Sequence, residues 1–294
     1  MKKLLLLICF AIYLCGTSYA VDFNGTGTLT EHTFKHKGVE YKYWLYMPKD
    51  LPANAPLVMV FHGYGSRKIP TLQYGFNLVA DKHNFAVCYP CGPKDPGGKH
   101  YWSIGYQYHI DNGLMRDDVG FAVKLVRHLQ REYGLSKQNV FAAGNSNGGG
   151  MCYMLAFKAP ETFSAFGAVS GHIMKYMYER LTPNAVPIIE IHGTKDELAR
   201  WNGDPYNIHN IKLRGGDIAI PCVTSLWIAA NRCTHEEREV LPVRRNKVVA
   251  HRYVGGKNGN EVWLYEIVNG KHSWAEKDLD TADEIWKFFS KYLK

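Results

Sequence analysis

The sequence has 294 residues, 46% hydrophobic and 13% aromatic, so the chain is long enough to bury a sizeable core. We predict a single folded domain over residues 21–294, because no repeat, low-complexity tract or Pro- or Ser-rich linker divides the chain. The formal net charge is +8, but the basic residues are scattered and cluster only at Arg244, Arg245 and Lys247, which argues against a nucleic-acid-binding protein.

The N-terminus has the three parts of an export signal. Lys2 and Lys3 precede an apolar run at residues 4–14, and Ser18-Tyr19-Ala20 is a small-x-small cleavage site. The apolar run is shorter than the roughly 20 residues that a membrane-spanning helix needs. We predict a signal peptide over residues 1–20 and a secreted or periplasmic protein without stable membrane association; an uncleaved anchor is the alternative.

The next elements along the chain are mostly strands and helices in alternation. Alternating polar and apolar residues predict an antiparallel strand pair at residues 29–34 and 39–47, and continuous apolar runs predict buried strands at 56–62 and 85–89. Further strands are predicted at 139–143, 165–169, 186–191, 248–254 and 262–268, and helices at 71–83, 117–133, 148–158, 222–231 and 280–293. This order predicts an α/β fold, with a mostly parallel central sheet, antiparallel edge strands and helices on both faces.

The segment from Gly144 to Gly148 reads G-N-S-N-G and lies between a predicted strand and a predicted helix. A G-x-S-x-G turn in this position is typical of a nucleophile elbow, which holds its serine in a strained conformation clear of the sheet. A tight turn or a phosphate-binding loop is the alternative, although a phosphate loop would have a lysine before a Ser or Thr. We therefore predict that Ser146 is a catalytic nucleophile.

A nucleophilic serine needs a histidine base and an acid that orients the base. Asp196 follows the strand predicted at 186–191, and His272 follows the strand predicted at 262–268, so both are expected at the edge of the sheet where Ser146 lies. Glu197 and Asp204 are alternative acids. His62 and His192 also follow strands, and we interpret them as packing or supporting residues.

An oxyanion hole requires backbone N–H groups directed at the charge that develops on the ester oxygen. One N–H is expected from Asn147, directly after the nucleophile. The other is expected from Tyr64, within the H-G-Y-G-S loop at residues 62–66.

Five cysteines follow the predicted signal peptide: Cys88, Cys91, Cys152, Cys222 and Cys233. An odd number permits at most two disulfides in an exported protein. Cys222 and Cys233 flank a predicted helix and would be about 16 Å apart, too far to pair unless the helix is broken. Cys88 and Cys91 have a metal-like spacing but no second pair, so we predict structural thiols and no metal site.

Seven short motifs follow one another between about residue 25 and the C-terminus: VFHGYG, YP-x-G, DDVGF, SNGGG, IHGTKD, W-x3-N-x-C and KHSW. In these motifs the chain resembles the α/β-hydrolases that include secreted feruloyl esterases and polyhydroxybutyrate-depolymerase-like esterases (carbohydrate esterase family 1). The resemblance implies a serine esterase with Ser146, Asp196 and His272 as its triad and without a cofactor. Asn145 departs from the pattern, because an apolar residue is more usual there.

Aromatic residues on the loops beside the predicted site suggest a phenolic or sugar substrate. Trp102, Trp201 and Trp274 are the candidate substrate-binding residues, with the alternative that such rings merely anchor their loops. We predict hydrolysis of feruloyl or other hydroxycinnamoyl esters of plant cell-wall polysaccharide. An acetyl-xylan or short-chain hydroxyalkanoate esterase, and a non-catalytic polysaccharide binder on the same scaffold, stay open.

Overall fold

The computed structural model describes residues 23–209 and 215–294. The predicted signal peptide at residues 1–20 lies outside these ranges, so the signal peptide and the start of the domain stay predictions. Within the described ranges, no helix has both the length and the apolar character required to cross a bilayer.

The described strands form one ten-stranded sheet in the order β1-β2-β4-β3-β5-β6-β7-β10-β9-β8. The six central strands, β4 to β10 in this order, are parallel, and the two strands at each end run antiparallel to their neighbours. The strands are β1 Thr28–His36, β2 Val39–Met47, β3 Leu57–Phe61, β4 Ala86–Cys91, β5 Val140–Asn145, β6 Ala165–Val169, β7 Ile188–Gly193, β8 His235–Val240, β9 Val248–Val254 and β10 Val262–Ile267.

Helices cover both faces of the sheet. They are α1 Phe76–His83, α2 Gln107–Asp111, α3 Asp118–Tyr133, α4 Asn147–Lys158, α5 Lys175–Arg180, α6 Ile220–Asn231 and α7 Thr281–Ser290. Because side chains alternate across a strand, Leu57 and Met59 of β3 join one buried core, while Val58 joins the other. The first core packs against α3, α4 and α6, and the second packs against α1 and α7.

The predicted α/β architecture is confirmed, and most predicted elements agree with the structure within two residues. The helix predicted at 71–83 is split, because Gly75 takes a left-handed conformation (φ 82°) between a 3₁₀ turn at Leu72–Tyr74 and α1. Three elements were not predicted. The short helices α2 and α5 lie within loops, and every residue of the charged strand β8 is exposed.

The five cysteines of the described ranges are free. Helix α6 is unbroken from Cys222 to its last residue, Asn231, two positions before Cys233, so it holds these two thiols apart. Cys88 and Cys152 are buried, and burial raises the pKa of both thiols well above the usual value. Their neutral, buried state agrees with a structural role.

Candidate active site

Ser146 occupies a strained turn between β5 and α4, as the G-x-S-x-G pattern predicts. Its backbone has φ 56° and ψ −117°, a conformation that side-chain-bearing residues rarely adopt. The flanking glycines make the turn possible. A Cβ atom added to Gly144 would lie 2.4 Å from the Gly148 backbone, and one added to Gly148 would lie 2.1 Å from the carbonyl oxygen of Phe61. The turn therefore leaves the Ser146 side chain partly exposed at the carboxyl end of β5.

Asp196 and His272 are joined by a hydrogen bond at the same edge of the sheet. Nδ1 of His272 lies 2.7 Å from Oδ2 of Asp196. The other carboxylate oxygen, Oδ1, accepts the backbone N–H groups of Leu198 and Ala199, each at 2.8 Å. Burial alone would raise the pKa of Asp196, but the hydrogen bond and charge of His272 hold this pKa below its usual value. Asp196 is therefore set up to stay ionised and to orient His272.

The two alternative acids, Glu197 and Asp204, have different environments. Glu197 is exposed. The Asp204 carboxylate accepts backbone N–H groups from Ile208 and His209, so it orders its own loop. Of the three candidate acids, Asp196 is the one hydrogen-bonded to His272.

Ser170 connects the loop that carries His272 to the elbow. The Ser170 hydroxyl donates to the carbonyl oxygen of Ser273 at 3.0 Å, and its neighbour Val169 accepts the Ser146 backbone N–H at 2.8 Å. Two strands, β6 and β7, separate β5 from β10 in the sheet. Residues 169 and 170, at the end of β6, nevertheless contact both the His272 loop and the Ser146 elbow.

Two buried titratable side chains, Glu190 and His192, lie close to Asp196. Nδ1 of His192 is 2.5 Å from a Glu190 carboxylate oxygen, and its Nε2 is 2.7 Å from the Ala199 carbonyl oxygen and 3.4 Å from Asp196. Burial disfavours a charged ring, but Glu190 outweighs burial and raises the pKa of His192. His192 is thus the supporting residue that its sequence position suggested, and protonation of its ring favours the carboxylate form of Asp196.

His62 has a purely structural environment. Its Nε2 accepts the backbone N–H of Gly92 at 3.0 Å, and its Nδ1 faces the Gly63 carbonyl oxygen at 2.8 Å. Burial lowers the pKa of His62 to about 4, so the ring is neutral near pH 7. This agrees with its interpretation as a packing residue.

The loop at residues 62–66 lies against the elbow. A Cβ atom added to Gly63 would lie 3.4 Å from the Ser146 Cβ, so the backbone that leads to Tyr64 passes directly beside the serine. Asn147 is the first residue of α4, and the first N–H groups of a helix have no partner within the helix. The arrangement is compatible with the predicted oxyanion donors, Tyr64 and Asn147.

Trp102 does not have the predicted role in substrate binding. Its ring is completely buried, and its indole N–H donates to the His62 carbonyl oxygen at 3.0 Å. Its backbone N–H donates to the Asn147 side chain at 2.7 Å, and its carbonyl oxygen accepts from the same amide at 3.1 Å. Trp102 therefore connects the two segments that carry the predicted oxyanion donors.

Trp274 is likewise buried, which contradicts its predicted contact with substrate. Its ring stacks on Tyr74 at 4.1 Å, and its indole N–H donates to the Tyr74 carbonyl oxygen at 3.0 Å. Trp201, the third candidate, is partly exposed and lines a cavity of about 400 Å³ together with Asp196. Of the three predicted tryptophans, only Trp201 is accessible.

Tyr74 gives Asn145 a function that the sequence did not reveal. The Asn145 side-chain N–H donates to the Tyr74 hydroxyl at 3.3 Å. Burial raises the pKa of Tyr74 to about 12, although hydrogen bonds from Asn145 and the Gly63 backbone offset part of the rise. Since Tyr74 also stacks on Trp274, two residues after His272, it contacts the elbow, the 62–66 loop and the His272 loop.

Replacing Tyr74 with phenylalanine should lower kcat for p-nitrophenyl acetate about three- to tenfold and change KM less than about twofold. The substitution removes the hydroxyl that accepts from Asn145 and from the Gly63 backbone, at about 0.5–1.5 kcal/mol for each hydrogen bond, and keeps the ring that stacks on Trp274. Steady-state kinetics would measure the effect, with Tyr178→Phe as the matched control because Tyr178 is exposed. An unchanged kcat in a folded Tyr74→Phe protein would contradict the positioning role.

In residues 23–209 and 215–294, no group of three or more His, Cys, Asp or Glu side chains is arranged to hold a metal ion. The Cys88 and Cys91 side chains are both buried, and burial raises the pKa of Cys91 to about 11.

Known proteins are similar to this chain in sequence and in fold. Feruloyl esterase B of Neurospora crassa is 27% identical over 132 residues, which cover 44% of each chain. Poly(3-hydroxyalkanoate) depolymerase C of Paucimonas lemoignei is 22% identical over 207 residues, 69% of this chain and 46% of that one. The chain spans less than half the length of the curated relatives it matches.

The solved structure of an acetyl xylan esterase from Aspergillus awamori superposes with a TM-score of 0.61 at 17% identity, covering 90% of this chain and 99% of that one. This similarity confirms the α/β-hydrolase fold predicted from the motifs. Residues 41–195 match the family described as Esterase PHB depolymerase, and this match includes the 62–66 loop, the elbow and the strand that precedes Asp196. The chain therefore belongs to the esterase PHB depolymerase family.

Proposed function

We propose that this protein is a serine carboxylesterase in which Ser146 is the nucleophile, His272 the base and Asp196 the orienting acid. The observation that supports this most directly is the 2.7 Å hydrogen bond between His272 and Asp196, at the sheet edge where Ser146 occupies its strained turn. When Nδ1–H of His272 donates to Asp196, its Nε2 is left unprotonated and can accept a proton.

In the first half of the proposed reaction, Nε2 of His272 takes the Ser146 hydroxyl proton while Oγ bonds to the ester carbonyl carbon. The backbone N–H groups of Tyr64 and Asn147 stabilise the resulting oxyanion. The carbonyl re-forms, the carbon–oxygen bond to the alcohol breaks, and His272 gives its proton to the departing alcohol. An acyl group remains on Ser146.

In the second half, water attacks the acyl carbonyl and His272 accepts the proton of the water. The tetrahedral intermediate then collapses, the carboxylic acid leaves and Ser146 regains its proton from His272. Because His272 carries every proton transfer, the proposed steps need no metal or cofactor.

For the substrate, we propose feruloyl or related hydroxycinnamoyl esters on plant cell-wall polysaccharide, met outside the cell after export. Similarity to Feruloyl esterase B supports this choice. Trp201 adds a physical argument, because its partly exposed ring lines the cavity beside Asp196 and is able to stack on a phenolic ring. Acetyl-xylan and short-chain hydroxyalkanoate esters are the competing substrates, since proteins of both activities are among those similar to this chain.

A panel of esters tests this proposal. We expect kcat/KM for methyl ferulate and feruloyl-xylo-oligosaccharide to exceed that for acetylated xylo-oligosaccharide and 3-hydroxybutyrate oligomers by about tenfold or more. Trp201→Ala should raise KM for methyl ferulate more than Trp201→Phe, which keeps an aromatic face.

Two other outcomes would contradict parts of the proposal. The protein could hydrolyse acetyl or 3-hydroxybutyrate esters but neither methyl ferulate nor feruloyl-xylo-oligosaccharide. That result would reject the feruloyl assignment and leave the esterase assignment in place. Absence of both ester hydrolysis and fluorophosphonate labelling would indicate a non-catalytic polysaccharide binder, because only an activated serine reacts with that probe.

A further inference from the structure

A concave region of about 610 Å³ is lined in part by the 62–66 loop, which lies against the elbow, and it carries several basic side chains. We name it the basic pocket and define it by Lys42, Trp44, Arg67, Lys94, Lys99 and His100. These residues come from β2, from the loop after β3 and from the loop after β4. The proposed reaction uses none of them.

The basic pocket opens at the same edge of the sheet as the proposed active site. Lys42 pairs with Cys91, the last residue of β4, so it lies at the carboxyl end of that parallel strand. Gly65, which also lines the basic pocket, donates its backbone N–H to the His100 carbonyl oxygen at 2.7 Å. Gly65 is two residues from Gly63, a span of at most about 7 Å, and Gly63 lies against Ser146. A polymer that reaches Ser146 is therefore able to reach the basic pocket as well.

The charges of the basic pocket are largely unneutralised. Glu31 pairs with Lys42 at 2.7 Å. Arg67, Lys94 and Lys99 have no carboxylate within 4.0 Å among the described residues.

The nearby acidic and thiol groups cancel only part of this charge. The Asp95 side chain is buried and turned inward, where it accepts the Tyr64 hydroxyl and the Lys99 backbone N–H. The Cys91 thiol is neutral, since burial raises its pKa to about 11. The basic pocket therefore carries a net positive charge.

We propose that the basic pocket binds the carboxylate of a uronate unit in the polysaccharide whose ester is cleaved at Ser146. This inference rests on the proposed function and narrows its substrate to acidic polysaccharide esters. Two features favour a saccharide carboxylate over an isolated phosphate. Trp44 is partly exposed and offers a flat apolar surface for a sugar ring. The cations come from separate chain segments, whereas phosphate sites usually combine a helix N-terminus with converging backbone N–H groups.

Isothermal titration calorimetry tests this assignment. It would compare the binding of tri-galacturonate with that of the neutral xylotriose to the whole chain. We expect tri-galacturonate to bind about tenfold more tightly than xylotriose at low ionic strength and to lose most of this advantage in 0.5 M salt. Lys94→Gln/Lys99→Gln should weaken tri-galacturonate binding about five- to tenfold. Lys124→Gln/Lys137→Gln is the matched control, because it removes two exposed charges from α3 and the following loop.

Equal affinity for the two saccharides would overturn the proposal, as would equal losses in the two double variants. Binding of a single-stranded DNA oligonucleotide as tightly as tri-galacturonate, with the same loss in Lys94→Gln/Lys99→Gln, would overturn the saccharide assignment in favour of a general polyanion site. Hydrolysis of p-nitrophenyl acetate, measured in parallel, separates the two proposals. Ester hydrolysis without tri-galacturonate binding rejects the basic pocket alone, whereas tri-galacturonate binding through Lys94 and Lys99 without ester hydrolysis rejects the esterase alone.

Discussion

Replacing Ser146 with alanine should reduce kcat for p-nitrophenyl acetate by about 10⁴- to 10⁶-fold. Alanine has no hydroxyl to form the acyl-enzyme, so only the binding and oxyanion contributions to catalysis remain. Its Cβ is accommodated wherever the serine Cβ is, and therefore the strained turn and the fold should survive. Stopped-time assays at high enzyme concentration would measure the residual rate, and fluorophosphonate labelling should disappear.

Ser225→Ala is the matched control for this substitution. The Ser225 hydroxyl is exposed and donates to the Pro221 carbonyl oxygen within α6, so its removal should leave kcat within about twofold of wild type. Near-wild-type turnover by Ser146→Ala with an unchanged thermal midpoint would reject Ser146 as the nucleophile.

Replacing Asp196 with asparagine should lower kcat by about 10³- to 10⁴-fold with little change in KM. An asparagine oxygen still accepts from Leu198 and Ala199, but an amide N–H directed at His272 favours the tautomer with its proton on Nε2. That tautomer cannot take the Ser146 proton. The loss should therefore fall on the chemical step, which single-turnover kinetics would resolve.

Glu197→Gln provides the comparison, because Glu197 is the next residue in the chain, lines the same cavity and is exposed. We expect its kcat to stay within about twofold of wild type. A large loss in Glu197→Gln together with a small one in Asp196→Asn would move the acid role to Glu197.

Much of the central sheet could be predicted from sequence, because parallel strands buried on both faces are continuous apolar runs. The apolar run of β3 and the alternation of β2 both predict strands that the structure contains. The elbow was predictable for a different reason, since glycines on both sides of Ser146 are a local requirement of the turn. Strand β8 shows the opposite case. Its H-E-E-R-E-V sequence is exposed throughout, so neither periodicity nor apolar content identifies it, and it forms by pairing with β9.

Contacts with the substrate are harder to predict from sequence. A single tryptophan in a loop looks the same in the sequence whether its ring is buried or exposed. Trp102 and Trp274 are buried by contacts with residues at least 40 positions away in the chain, His62 and Tyr74. Tyr74 and Asn145, which share a hydrogen bond, are separated by 71 positions. Such pairs leave no periodic signal in a single sequence.

The sequence does not predict the basic pocket, for a related reason. Its cations look scattered along the chain, and the only apparent cluster was Arg244, Arg245 and Lys247. Pairing of β2 with β4, and the approach of the 62–66 loop to the loop after β4, bring Lys42, Arg67, Lys94 and Lys99 to one concave region. The order of the strands in the sheet decides which cations lie close together in space. The spacing of lysines along the chain does not reveal that order.

The double hydrogen bond between Trp102 and Asn147 has a consequence for altering substrate preference. Trp102 also donates to the His62 carbonyl oxygen. Replacing residues 92–114 with a new segment would therefore remove the hydrogen bonds that connect the segments of both proposed oxyanion donors. The loop after Asp196 carries no comparable bond to the elbow among the described residues. Library mutagenesis aimed at new esters should therefore vary the residues that line the cavity around Trp201 and leave residues 92–114 unchanged.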